Sequence, residues 1–82
     1  MKFEDFKKKL ATEVVSFKYT KKDGTIREAK GTTNPSVIET NYDSKYLPKG
    51  EKDINYSENT TRYFDVDKLG WRSFQNKSFI ED

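Results

Sequence analysis

Eighty-two residues make one domain, near the lower size at which a single core suffices without staples. There is no cysteine and no histidine, which excludes disulfides, thiolate chemistry and the usual ligands of structural zinc, so packing alone must hold the core. The net charge of +2 is far from that of a strongly basic nucleic-acid binder, and Phe, Leu, Ile and Val supply only 17 of the 82 residues, which shifts the core onto twelve aromatics.

Phe3, Phe6 and Leu10 fall at i, i+3 and i+7, one stripe of a short helix within residues 1–11, and Glu4 and Asp5 precede Lys7, Lys8 and Lys9 in the order that suits the helix dipole. Three apolar residues give little independent affinity for a membrane or partner helix, so the expected role is a lid over one end of the fold. No apolar run has signal-peptide or membrane-spanning length, and a cytoplasmic location without a membrane partner is expected.

Val15, Phe17 and Tyr19 alternate with Ser16, Lys18 and Thr20, the pattern of a strand with one apolar face. Lys22-Asp23-Gly24 follows, a hairpin signal because glycine accepts positive φ without a Cβ clash, and the return strand is expected from Thr25 to about Thr33. Gly31 marks a bulge or bend in it. Pro35 ends the strand, with Val37 and Ile38 packing from a single helical turn. Residues 39–59 read as a long loop touching the core through Tyr42, Tyr46, Leu47, Ile54 and Tyr56, with a short strand around Lys45 to Leu47. A second hairpin is expected from Thr60 to Val66 and from Trp71 to Gln75, and Asn76 is the expected N-cap of a last turn carrying Phe79 and Ile80. The fold class is therefore mainly β, a small SH3-like β-barrel over residues 14–80 with a short N-terminal α-helix, in a single domain of residues 1–82.

Chemistry is sparse. Without His or Cys the six serines have no base beside them in the sequence, so no enzyme, no cofactor and no catalytic residue is expected. Asp65-Val66-Asp67-Lys68-Leu69-Gly70 echoes the start of an EF-hand loop, but Asn76 stands where the bidentate Glu is needed, so a hairpin turn and no metal site is the expectation. What remains is a mixture of cations and flat rings, Lys18, Arg27, Lys30, Arg62, Tyr63, Trp71 and Arg72, of the kind on which bases stack while Arg and Lys track phosphates. The competing reading makes Tyr63 and Trp71 cross-strand core partners, with the arginines covering their rings or pairing with Glu28 and Asp65.

The run Val15 to Asn34, with Tyr19, Lys21-Lys22-Asp23-Gly24-Thr25-Ile26-Arg27 and Gly31-Thr32-Thr33-Asn34, followed by Tyr63-Phe64-Asp65 and Gly70-Trp71-Arg72-Ser73-Phe74, resembles a family of small bacterial and phage proteins described as SH3 β-barrel fold-containing. More distantly it is similar to the barrel of WYL domains, although Arg62-Tyr63-Phe64 stands where Trp-Tyr-Leu is the rule there and no Asp-Arg pair follows Phe74. The resemblance implies a regulatory binding module, with Arg27 and Arg72 near a basic groove for nucleic acid or a nucleotide effector. The function expected is thus a non-catalytic module for single-stranded nucleic acid or a nucleotide. The alternative is a protein-interaction adaptor using the N-terminal helix and the 39–59 loop, as a monomer or weak dimer paired through an exposed edge.

Overall fold

The computed structural model describes residues 1–47 and 59–81. Its elements are a helix α1 (Phe3–Leu10), strands β1 (Val15–Thr20) and β2 (Ile26–Thr32), a helix α2 (Pro35–Asn41), and strands β3 (Thr60–Asp65) and β4 (Gly70–Gln75). Short 3-10 turns occupy Ser44–Tyr46 and Asn76–Ser78. The sheet is an antiparallel meander in the order β1-β2-β3-β4. After the last 3-10 turn the chain returns to the free edge of β1, where Tyr19 bridges Phe79 and the Ile80 amide donates to the Lys18 carbonyl at 3.0 Å. That return closes the sheet into a barrel, which removes the edges an open sheet would expose there.

Alternation along the strands sends Val15, Phe17, Tyr19, Ala29, Tyr63 and Phe74 into the barrel, where all are buried. Their rings pack as an aromatic core, with Tyr19 stacked on Phe74 at 4.6 Å and Phe17 edge-on to Tyr63 at 5.0 Å. Helix α1 is the expected lid: Phe6 and Leu10 are fully buried, and the Phe6 ring lies 4.6 Å from Phe17 and 4.5 Å from Phe79. Its apolar stripe is spent on the core.

The first turn carries the expected glycine chemistry. Gly24 has φ of +89°, its amide donates to the Lys21 carbonyl, and Asp23 Oδ1 accepts from both the amide and hydroxyl of Thr25. Gly31 is required for a different reason: a Cβ there would stand 2.5 Å from the Tyr63 ring and 2.6 Å from the Phe64 carbonyl oxygen, so this glycine lets β2 approach β3.

Between α1 and α2 a knot of polar contacts fixes the chain. The Leu10 carbonyl accepts from the Thr33 amide and from the hydroxyls of Thr32 and Thr33. Asn34 caps α2 by accepting from the Val37 amide at 3.1 Å, and its amide group donates back to the Ala11 carbonyl.

Three local expectations are corrected. With Asn34 as cap and Pro35 at its start, α2 continues to Asn41 rather than ending after one turn. Lys45 lies in a 3-10 turn, not a strand, because Asp43 accepts from the Lys45 amide and sets the chain turning. Gln75, not Asn76, is the N-cap residue of the last turn, and the Asn76 side chain accepts from Thr61 Oγ1 at 2.6 Å. Residues 48–58, with Ile54 and Tyr56, fall outside the described part of the expected 39–59 loop.

Candidate functional site

The cations and rings singled out in the sequence separate into three places. At one mouth of the barrel the cross-strand pairs Tyr19–Arg27 and Tyr63–Arg72 bring two arginines, one from each hairpin, toward Asp65 at the end of β3. Arg27 is in phase with Ala29 and Gly31, and Arg72 with Phe74, so alternation itself turns both inward. Arg27 Nη2 donates to Asp65 Oδ2 at 2.8 Å, and Arg72 Nε lies 3.6 Å from the same oxygen. Asp65 Oδ1 accepts from the amides of Asp67 and Lys68, each at 3.0 Å, so the carboxylate also shapes the second turn. Both oxygens are therefore committed within the protein, and the calcium-loop echo resolves into a hairpin turn.

Burial alone would raise the Asp65 carboxyl, which is 1% exposed. The hydrogen bond from Arg27 and the two backbone amides outweigh it and hold the group below the usual carboxylate range. The same bond raises Arg27. Behind the pair, the hydroxyls of Tyr19 and Tyr63 share a hydrogen bond of 3.0 Å, and burial pushes the Tyr63 phenol up. Tyr63, a candidate stacking ring in the sequence, is completely buried and presents no face to a ligand. The mouth keeps an excess of one positive charge, since two guanidiniums share one carboxylate. Among the described residues, Arg27 Nε is buried and finds no hydrogen-bond partner.

The second place is the outer face of the β3–β4 hairpin, where Thr60, Arg62 and Phe64 run beside Gln75, Ser73 and Trp71. Phe64 points away from the barrel core yet is fully buried, because Tyr42 and Tyr46 cover it with ring centroids at 5.6 and 5.1 Å. Trp71 flanks this small second cluster, half-buried, with its indole Nε1 donating to the Tyr46 carbonyl at 2.8 Å. The Arg62 guanidinium lies 5.9 Å from the Trp71 ring centroid and Lys45 Nζ 5.2 Å from that of Tyr46. Tyr46 and Lys45 were not candidates in the sequence; the four-residue spacing of Tyr42 and Tyr46 was the signal that could have found them.

The third place is the outer face of β1–β2, which carries Lys18 and Lys30. Lys18 pairs with Glu28 at 3.7 Å between two exposed side chains, a contact worth little in water.

A closed antiparallel barrel of this size, lidded by a helix and lined at one mouth by paired arginines, defines the class of small SH3-like β-barrels. The family model WYL_2, Sm-like SH3 beta-barrel fold, matches residues 3–80, and the chain belongs to that family. None of the curated proteins and none of the solved structures compared with the chain matches it. Among the described residues no helix is long and apolar enough to cross a membrane.

Proposed function

We propose that the barrel is a non-catalytic binding module for single-stranded nucleic acid or a nucleotide, with the outer face of β3–β4 as its contact surface. The observation that carries this reading is the partly buried Trp71 indole, fixed by its bond to Tyr46 and approached by the Arg62 guanidinium. A ring held this way can accept a base at little entropic cost, while Arg62 and Lys45 supply charge for the phosphates. Arg27 and Arg72 contribute a net positive field from the mouth but spend their closest contacts on Asp65. The adaptor reading gains nothing from α1, whose apolar stripe is already buried.

The test is fluorescence anisotropy of labelled short oligonucleotides at two salt concentrations, with the wild type and Arg62→Gln. Binding that weakens with salt, and weakens several-fold in Arg62→Gln, supports the reading. Absence of binding at low salt overturns it.

A further inference from the structure

A cleft of about 550 Å³ runs along the barrel seam, where the first hairpin faces β4. Its base is the stacked pair Tyr19 and Phe74, both nearly buried, and its walls carry the hydroxyls of Thr20, Ser73 and Ser78 and the amide of Gln75. None of those four wall side chains makes a hydrogen bond within the protein among the described residues. The exposed Lys21 and Lys22 stand at its rim. Asp23 also borders the cleft, but its carboxylate is turned onto Thr25.

Two further relationships give the cleft a direction. Ser73 and Gln75 share the outer face of β4 with Trp71, so the row Trp71, Ser73, Gln75 leads from the indole into the cleft in steps of about 7 Å, a pitch that an extended polynucleotide can follow. Past Gln75 the surface continues into a smaller hollow bordered by Lys77. At its other end Lys21 is shared with a groove of mixed charge that carries Arg27 and Lys68 beside Glu28, Asp65 and Asp67, so the cationic path ends at Lys21.

From this arrangement we infer that the seam cleft is a second subsite, which takes the sugar-phosphate backbone of the strand whose base stacks on Trp71. Lys21 and Lys22 pair with its phosphates, and the hydroxyls and amide of the wall bond its sugar and phosphate oxygens. The inference rests on the reading of Trp71 as a stacking platform. The volume suits a nucleotide-sized group, and the ligand chemistry follows from a wall that offers many small donors and a rim that offers cations.

Amide-resolved NMR titration of the full chain tests it, using a short oligothymidylate and, separately, inorganic phosphate. Shifts at Thr20, Lys21, Lys22, Ser73, Gln75 and Ser78 together with the Trp71 indole NH are expected with the oligonucleotide. Shifts at the indole alone would overturn the cleft and leave the stacking face standing, whereas shifts in the cleft alone would overturn the stacking reading and, with it, the strand path. Shifts with inorganic phosphate but not with the oligonucleotide make it a site for a free anion and overturn the strand path; no shifts overturn both. The double variant Lys21→Gln, Lys22→Gln keeps the turn, whose bonds run through the backbone and Asp23. It should reduce the salt slope of oligonucleotide binding by about 1.4, the value for two lost phosphate contacts on a single strand. An unchanged slope also contradicts the proposal.

Discussion

Arg27 and Asp65 stand 38 residues apart in sequence and 2.8 Å apart in space, and their bond joins the first hairpin to the second at the barrel mouth. Because Asp65 also holds the second turn through two backbone amides, one carboxylate serves both the closure of the barrel and the shape of a loop.

Asp65→Ala should therefore be among the most damaging substitutions, costing about 3 kcal/mol by leaving Arg27 without its partner and the turn without its acceptor. Asp65→Asn keeps an acceptor for the turn amides and should cost less. Denaturant unfolding of the two variants checks the order.

The depressed Asp65 carboxyl gives the fold a pH dependence of definite sign. Its folded pKa lies below the unfolded value, so the bond's stability is complete above about pH 4 and is lost as pH falls through the folded value. Wild-type stability measured from neutral pH downward should fall in that acid window, and Asp65→Asn should show a shallower fall. Equal acid sensitivity of the two proteins would contradict this role.

Gly31→Ala forces a methyl against the Tyr63 ring and, less avoidably, against the Phe64 carbonyl oxygen. A backbone atom cannot rotate away, so a loss of about 3 kcal/mol is expected, against ~1 kcal/mol or less for Gly70→Ala, where a Cβ meets nothing. Thermal melts of both variants make the comparison.

Asn34→Ala removes the cap of α2 and the bridge to Ala11 together. A cost of about 1 to 2 kcal/mol is expected, with Asn34→Asp recovering the cap but not the bridge. Amide exchange in α2 should rise in both variants, and more in the alanine one.

Much of this architecture is legible in the sequence, because its signals are local. The Asp23-Gly24 turn, the alternation of β1 and the i, i+3, i+7 stripe of α1 each follow from neighbouring residues. The inward position of Arg27 is present as phase, two residues before Ala29, and the competing reading of the sequence names Asp65 as a partner of the arginines; what no local pattern fixes is that Arg27, 38 residues away, makes the close bond. Phe64 shows the same difficulty on the other face. It lies in the outward phase and is buried where Tyr42 and Tyr46 fold over it beside Trp71. Helix α2 was underestimated because Ile38 is its one buried residue, too few to show a period. The candidate rings divided by the same physics: Tyr63 in the inward phase belongs to the core, and Trp71 in the outward phase keeps an exposed side.

Trp71 is the sole tryptophan of the chain, so its emission reports directly on the surface proposed to bind a base. Titrating the protein with a short oligothymidylate at low salt should quench that emission to saturation, and raising the salt should reverse the quenching. Emission that stays unchanged through the low-salt titration would contradict the stacking role of Trp71.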